Sequence, residues 1–178
     1  MDDWCKDWDI GRVQVYTGTG KGKTTAAFGL ALRAAGAGMK TFIAQFVKGR
    51  HYSELDALAT IDAITCRQYG RGCFIHGEPN EEDIRAAQEG LREAADILQS
   101  GDFDIVILDE ANIATHFGLF TVEALIEAIN SRAAHVEVVV TGRCADQRIL
   151  DLADLVTDMQ EVKHYFNDGV QARRGIEC

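Results

Sequence analysis

Short apolar runs alternate along the chain with longer segments in which apolar residues recur every three or four positions. Runs of four to eight mostly apolar residues are typical of buried β-strands. Six such runs occur, at residues 13–16, 41–47, 63–69, 103–108, 136–140 and 155–162. Helical periodicity lies between them, at residues 24–35, 80–100, 121–134 and 146–153. This alternation, with several strands almost wholly apolar, predicts an α/β fold whose mostly parallel six-stranded sheet is covered by helices on both faces.

Two of the predicted helices carry clear end signals. Segment 24–35 is rich in alanine and is followed by Gly36 and Gly38, which favour a helix C-terminus. Segment 80–100 begins at Asn80, a favoured N-cap residue. Its apolar stripe consists of Ile84, Ala87, Leu91, Ala94 and Leu98. With one proline and no Ser/Gly-rich linker, the chain is expected to form a single domain over residues 1–178.

The composition argues against several classes of protein. A chain of 178 residues that is 47% hydrophobic is long enough for one domain with a substantial core. The net charge of -10, from 18 Lys and Arg against 28 Asp and Glu, argues against a nucleic-acid-binding face. No apolar stretch approaches the roughly 18 residues of a membrane span, and the acidic N-terminus is unlike a targeting peptide. Five cysteines without a Cys-x-x-Cys pair are unlike a disulfide framework. We therefore expect a cytoplasmic protein with reduced thiols that binds neither nucleic acid nor membranes.

The segment between the first strand and the first helix reads TGTGKGKTT over residues 17–25. Glycines let the backbone N–H groups of such a loop converge on a phosphate, while Lys23 adds charge and the helix N-terminus adds its dipole. The hydroxyl of Thr24 is placed for Mg2+. The usual pattern, G-x-x-x-x-G-K-[ST], would have a glycine at Thr17, so the loop is a variant. We predict a nucleotide site here; the alternative is a glycine-rich turn with solvated lysines.

The fourth predicted strand ends in two carboxylates, Asp109 and Glu110. In proteins with a phosphate loop such a strand lies near the loop, and its terminal acid meets Mg2+ directly or through water. We therefore assign both residues to the metal, with Glu110 as the first choice. The alternative is that the charges only mark the point where the strand reaches solvent.

A resemblance to a known family rests on the phosphate loop and on segments that follow it. In order these are residues 16–29 (YTGTGKGKTTAAFG), 45–49 (QFVKG), 108–110 (LDE), 141–143 (TGR), 151–157 (DLADLVT), 162–164, 169–172 and 175–177. Together they resemble the ATP:corrinoid (cob(I)alamin) adenosyltransferases, which have a RecA-like fold. The resemblance runs from about residue 13 to the C-terminus and implies a single-domain, three-layer P-loop sandwich.

The resemblance also implies a reaction and its participants. The Co(I) of a corrinoid, cobalamin or a precursor, attacks the 5′ carbon of ATP and gives an adenosylcorrinoid and inorganic triphosphate. Mg2+ or Mn2+, a homodimer, and an electron donor protein or flavin reductant are implied, as is ATP lying reversed relative to kinases. The more specific expectation is the cob(I)yrinic acid a,c-diamide type of enzyme. Residues 1–11 are expected to form an N-terminal segment and residues 163–178 a tail over the ligand edge of the sheet.

Co(I) is itself a strong nucleophile, so catalysis needs no protein base and depends on stabilising the departing triphosphate. The residues expected to act in catalysis are Lys23, Thr24 and Glu110. Those expected to bind the substrates are Gly18, Thr19, Gly20, Lys21, Gly22, Lys23, Thr24, Thr25, Lys48, Phe74, Arg143 and His164. Those expected to bind the metal are Thr24, Asp109 and Glu110.

Residues 69–79 depart from the family pattern. The best-known members carry a Gly-Phe-Thr-Trp-like segment implicated in displacing the corrinoid's lower ligand, and this stretch has no tryptophan. Phe74 or Tyr69 is a candidate for the aromatic role, with core packing as the alternative for each. The preferred corrinoid therefore stays open.

Weaker signals have two interpretations each. Arg143, His164 and Lys48 each follow a predicted strand, so each either contacts substrate or holds a loop in place. A second group, Cys66, Cys73 and His76, has a spacing that matches no usual zinc site. We interpret these three as ordinary residues.

Two other functions compete with adenosyl transfer. One is a P-loop ATPase or small-molecule kinase, which would yield ADP with phosphate or a phosphorylated acceptor. The other is a carrier that binds nucleotide or corrinoid without turnover. Formation of triphosphate only in the presence of a reduced corrinoid would exclude both.

Overall fold

A computed structural model describes residues 8–70 and 79–177. Six strands form one sheet in which every described pairing is parallel. They are β1 (Val13–Thr17), β2 (Thr41–Phe46), β3 (Ile64–Tyr69), β4 (Ile105–Asp109), β5 (Glu137–Thr141) and β6 (Leu155–Asp158). Their order across the sheet is β3-β2-β4-β5-β1-β6. The predicted six-stranded α/β sheet is confirmed.

Helices cover both faces of the sheet. They are α1 (Lys23–Gly36), α2 (Ser53–Leu58), α3 (Glu81–Ser100), α4 (Ala111–His116), α5 (Val122–Asn130) and α6 (Gln147–Leu152), with a 3-10 turn at Tyr165–Asp168. The chain crosses the sheet in one direction from β1 to β2 and in the other from β3 to β4. Right-handed crossovers therefore place α1 and α3 on opposite faces, which gives the expected three-layer sandwich. No helix in the described ranges is long and apolar enough to cross a membrane.

Strand β4 supplies side chains to the cores on both faces. Val106 and Leu108 belong to the cluster under α3 and α5, whereas Ile105 and Ile107 belong to the cluster under α1. All four are buried, as the two-residue period of a strand covered on both sides requires. Because β4 lies between β2 and β5, its carboxyl end reaches the middle of the sheet edge, where Asp109 is fully buried.

The N-terminus of α3 confirms the N-cap predicted from the sequence. The side chain of Asn80 accepts hydrogen bonds from the amides of Glu82 and Asp83 at 3.0 and 2.9 Å. Asp83 in turn accepts from the amide of Asn80, which completes a capping box. The helix ends before Gly101, which has a φ of 70°.

Strand β6 is shorter than predicted and is exposed at all four positions. Its last register pair joins Asp158 to Thr17, the final residue of β1, so no partner strand remains beyond that point. The chain then turns toward the loop after β1, where the carbonyl of Met159 accepts from the amide of Gly20 at 2.6 Å. The short helices α2 and α4 and the 3-10 turn had no counterpart in the sequence-based prediction.

Candidate functional site

The phosphate loop, residues 17–23, is curled by glycines. Gly18 and Gly22 have φ values of 96° and 115°, which residues with a Cβ rarely adopt. A Cβ on Gly18 or Gly20 would lie 2.5 or 2.7 Å from the carbonyl oxygen of Met159. Gly18 and Gly22 therefore bend the loop, and Gly18 and Gly20 leave room for the chain that follows β6.

Lys23, the first residue of α1, points into this loop. It is only 7% exposed, and its ammonium donates to the carbonyl oxygens of Gly18 at 2.8 Å and Gly20 at 2.7 Å. Burial lowers the pKa of Lys23, although the negative charge of Glu110 opposes this. An anion in the loop would meet a fixed and poorly hydrated charge, a setting in which electrostatic stabilisation is strong.

Asp109 accepts hydrogen bonds at both carboxylate oxygens. Oδ1 accepts from the hydroxyls of Thr24 at 2.8 Å and Thr141 at 2.7 Å. Oδ2 accepts from the amide of Gln45 at 3.0 Å and the ammonium of Lys48 at 2.8 Å. Burial acts to raise the pKa of Asp109, but the charge of Lys48 and these hydrogen bonds outweigh it and lower the pKa. The residue therefore connects α1, β2 and β5 around one buried negative charge.

Glu110 follows Asp109 in a left-handed conformation. Its φ is 60°, and its amide donates to Oγ1 of Thr141 at 3.0 Å. Burial raises the pKa of Glu110, and the negative charge of Asp109 acts in the same direction. A cation beside this carboxylate would lower its pKa again, so binding of a cation and ionisation of Glu110 favour each other.

The oxygen donors around Thr24 fit Mg2+. This ion is usually held by one or two carboxylates together with substrate phosphates rather than by an all-protein cage. The described residues hold no group of three or more His, Cys, Asp or Glu that could form such a cage. Thr24 donates its proton to Asp109, which fixes the hydroxyl. Its oxygen accepts from the ammonium of Lys48, and its second lone pair is left to bind a cation. Glu110 offers a second oxygen donor at the same sheet edge.

Lys48 lies beside these residues. Its ammonium is 2.8 Å from Oδ2 of Asp109 and 3.1 Å from Oγ1 of Thr24. Burial opposes the charged form, but the charge of Asp109 prevails and raises the pKa of Lys48. The preceding residue, Val47, has a φ of 63°, which is strained for a β-branched side chain. Strain of this kind clusters at functional sites.

The remaining predicted residues of the loop are more exposed. Thr19, Lys21 and Thr25 are all on the surface. The ammonium of Lys21 binds the carboxylate of Glu177 in the tail at 2.7 Å. The structure therefore separates Lys21 from Lys23: the first faces the tail and the second faces the interior of the loop.

Two residues predicted at the ends of later strands have different surroundings. Arg143 is exposed, and its charge acts on both Lys23 and Glu110. His164 accepts a hydrogen bond at Nδ1 from the amide of Phe166 at 3.0 Å. This bond begins the 3-10 turn, so it favours the loop-holding interpretation of His164.

Part of the predicted corrinoid region lies outside the described residues. This applies to Phe74 and to Cys73 and His76 of the weak metal motif. Tyr69 is described: its hydroxyl donates to Glu93 at 2.7 Å, and its ring lies 5.9 Å from that of Phe46. These contacts support core packing for Tyr69.

Sequence reasoning did not assign a role to two buried polar residues of the site, Gln45 and Thr141. Both are fully buried at the carboxyl ends of apolar strands. A buried polar side chain requires hydrogen-bond partners. That requirement was the available signal, and the partner proves to be Asp109 in both cases.

A parallel sheet with a phosphate loop after its first strand, and with a buried acid bonded to the first threonine of the following helix, defines a P-loop nucleotide-binding protein. Residues 9–178 match the family described as ATP:corrinoid adenosyltransferase BtuR/CobO/CobP. The chain therefore belongs to this family, and the resemblance seen in the sequence is confirmed.

Individual relatives agree with this assignment. The chain is 38% identical over 171 residues to "Corrinoid adenosyltransferase CobA" of Salmonella typhimurium, covering 94% of this chain and 85% of that protein. It is 36% identical over 169 residues to a "Corrinoid adenosyltransferase" of Pseudomonas aeruginosa, covering 94% and 83%. A protein of the same description from Escherichia coli is 36% identical over 167 residues, covering 94% and 85%.

Proposed function

We propose that this chain transfers the 5′-deoxyadenosyl group of ATP to the Co(I) of a corrinoid. Its relatives are named corrinoid adenosyltransferases. The observation that carries the proposal is the 2.8 Å hydrogen bond from Thr24 to Asp109, which joins the first turn of α1, directly after the phosphate loop, to the acidic strand in a chain of this family. In the reaction an electron pair of Co(I) forms the bond to C5′. The C5′–O bond breaks, and its electron pair leaves with inorganic triphosphate.

The residues of the site would act on the leaving triphosphate. Lys23 and the N–H groups of the loop would stabilise the negative charge that develops as the C5′–O bond breaks. Thr24 and Glu110 would hold Mg2+ directly, and Asp109 would act through the hydroxyl of Thr24. When bound, the ion supplies further charge stabilisation to the polyphosphate. The reaction requires no residue to abstract a proton.

Further residues would complete the binding of the substrates. We assign Gly18, Thr19, Gly20, Gly22 and Thr25 to the polyphosphate, because they form the loop and the first turn of α1. Lys48 and Arg143 would contact phosphate or ribose, and His164 would order the tail near them. ATP would lie so that C5′ of the ribose, rather than the terminal phosphorus, faces the attacking cobalt.

The direct test combines ATP, Mg2+ and Co(I) cobalamin with the purified protein. Formation of a light-sensitive Co–C bond, with one triphosphate released per corrinoid, is the expected result. ADP with phosphate, or a phosphorylated acceptor, would support a kinase or ATPase instead. Tight ATP binding without any product would support the carrier.

The preferred corrinoid and the reductant belong to the same proposal. We infer an enzyme of the cob(I)yrinic acid a,c-diamide type, supplied with electrons by a flavin or an electron donor protein. Competition between this diamide and cobalamin would rank the two by kcat/KM. Phe74→Ala should slow the reaction starting from Co(II) more than from chemically prepared Co(I) if Phe74 helps to displace the lower ligand. Equal slowing would make it a packing residue.

We also propose a homodimer built on a single P-loop domain of residues 1–178. Strand β6 supports a dimer, because its outer edge is unpaired within the described sheet and Leu155 and Val156 are each 45% exposed. Light scattering should then give twice the mass of 19.5 kDa. Val156→Lys should shift the distribution toward monomers. The cytoplasmic location stays a prediction from the sequence.

A further inference from the structure

The ammonium of Lys21 is fully engaged by the tail. It donates to Oε1 of Glu177 at 2.7 Å, to the carbonyl of Ile176 at 3.0 Å and to the hydroxyl of Tyr165 at 3.1 Å. An ammonium has three N–H donors, and here each has an acceptor. While these bonds are made, Lys21 has no donor left for a phosphate.

Glu177 is the centre of this contact. Besides Lys21, its carboxylate accepts from the backbone amide of Arg173 at 2.8 Å, from the guanidinium of Arg173 at 3.3 Å and from the hydroxyl of Tyr165. The guanidinium of Arg173 also lies 4.7 Å from the centre of the Tyr165 ring. Arg173, Lys21 and Tyr165 together hold the pKa of Glu177 well below its ordinary value. The carboxylate is therefore ionised throughout the neutral range.

The rest of the tail has little apolar attachment. None of residues 163–177 is buried, and Phe166 and Ile176 are 67% and 57% exposed. A segment that buries so little apolar surface gains little from the hydrophobic effect. The described hydrogen bonds between the phosphate loop and the tail all start at Lys21, so the tail's position on the loop depends on this cluster.

We propose that Lys21 and Glu177 fasten the tail, residues 163–177, across the phosphate loop, and that Glu177 is a positioning residue acting on the nucleotide site through Lys21. Lys21 is thus assigned to the tail instead of to the polyphosphate expected from the sequence. The effect on nucleotide binding rests on the proposed function. Fastening Lys21 restrains the loop that carries it, so we expect the fastened tail to favour nucleotide binding. Coupling between two equilibria is reciprocal, so bound nucleotide must then favour the fastened tail.

Limited trypsin digestion measures the fastening without any need for activity. The tail offers cleavage sites after Lys163, Arg173 and Arg174, and mass spectrometry can follow each cleavage with time. Glu177→Gln should speed cleavage in the tail by about fivefold, the size expected when a partly exposed ion pair is lost. Glu161→Gln is the matched control, because its carboxylate contacts only Asn167 among the described hydrogen bonds. A Glu177→Gln rate equal to wild type would overturn the proposal.

A second variant separates fastening from a general loss of folding. Lys21→Met should speed cleavage to the same extent, and the double variant should be cleaved no faster than either single one, because both changes break the same contact. Additive effects would overturn the proposal. Unchanged thermal unfolding of the whole domain would show that cleavage reports on the tail.

The coupling is tested with ATP and Mg2+ in the absence of corrinoid. Binding should slow tail cleavage in the wild type, and Glu177→Gln should raise KM for ATP while kcat stays within about twofold of wild type. Unchanged or faster cleavage with bound ATP would mean that Lys21 leaves the tail for the phosphates, and would overturn the proposal. Calorimetry shows whether ATP binds, and the assay with Co(I) cobalamin shows whether adenosyl transfer occurs, so failure of the coupling is distinguished from failure of the proposed function. Digestion without nucleotide tests whether Lys21 and Glu177 fasten the tail, whether or not ATP binds.

Discussion

The buried hydroxyl of Thr141 donates a 2.7 Å hydrogen bond to Oδ1 of Asp109, although the two residues end different strands. The same hydroxyl accepts from the amide of Glu110 at 3.0 Å. The side chain of Thr141 therefore orients the carboxylate of Asp109 and holds the left-handed backbone of Glu110 in place. Outer partners of this kind commonly tune metal binding without touching the ion.

Thr141→Val should weaken Mg2+ binding to the complex with ATP by at least about tenfold, the usual effect of losing such a partner. The valine keeps the shape of threonine but removes the hydrogen bonds to both acidic residues. Binding of Mn2+ in the presence of ATP, followed by electron paramagnetic resonance, measures this effect directly. Thr141→Ser retains the hydroxyl and should restore most of the affinity. Equal affinities in all three proteins would limit Thr141 to packing.

Lys23→Ala should reduce turnover by about a hundredfold, or about 3 kcal/mol of transition-state stabilisation. The reason is that the lysine supplies a fixed charge to the departing triphosphate. Lys40→Ala, at an exposed position away from the loop, is the matched control and should keep its rate. Circular dichroism establishes that both variants are folded. A near-normal rate in folded Lys23→Ala would remove this residue from catalysis.

The sheet could be predicted from the sequence because β2 and β4 are mostly apolar on both of their faces, a pattern typical of a strand that is covered on both sides. The phosphate loop and the acidic pair could be predicted because each is contiguous in the chain. The end of β6 could not, because it depends on where its neighbour β1 stops. Strand ends are set by pairing, which local composition does not report.

The hydrogen-bond partners of Asp109 could not be predicted from the sequence for a related reason. Gln45 and Thr141 lie 64 and 32 residues away in the chain and meet Asp109 only through the strand order. The sequence predicts that Lys21 binds phosphate from its neighbours in the loop, but its contact with Glu177, 156 residues away, could not be predicted. A residue's type predicts its chemistry, but the acceptor it meets depends on the tertiary fold.

Gly20→Ala should destabilise the phosphate loop and raise KM for ATP. A Cβ at this position would lie 2.7 Å from the carbonyl oxygen of Met159 and 2.9 Å from backbone atoms of Gln160, so backbone would have to shift. Gly29→Ala in α1 is the matched control: its Cβ would meet nothing within 4 Å. That change should stabilise the protein by up to about 1 kcal/mol, because alanine favours a helix over glycine. The free energy of unfolding in urea should therefore fall for Gly20→Ala and rise for Gly29→Ala, and only Gly20→Ala should weaken ATP binding. Parallel shifts in the two variants would contradict the steric role of Met159.

Lys48→Met should reverse the pH dependence of stability that Asp109 confers. In the wild type the lowered pKa of Asp109 adds stability above its ordinary value of 3.8, and this is lost as the pH falls through the folded-state pKa. Burial is the largest influence on the pKa of Asp109, so without the ammonium of Lys48 we expect it to prevail and to raise this pKa above 3.8. The folded variant then binds an extra proton, so it loses stability as the pH rises from 4 toward 7.

Breaking a buried ion pair on one side typically costs about 3 kcal/mol, and here most of that loss should emerge only near neutral pH. Urea unfolding of the wild type, Lys48→Met and Lys40→Met between about pH 4 and pH 7, without nucleotide, measures the difference. Lys40→Met should follow the wild type at every pH, since this lysine is exposed. A constant difference between Lys48→Met and wild type across the range would show that Asp109 keeps its charge without Lys48. In that case Thr24, Thr141 and Gln45 would suffice to stabilise the buried carboxylate.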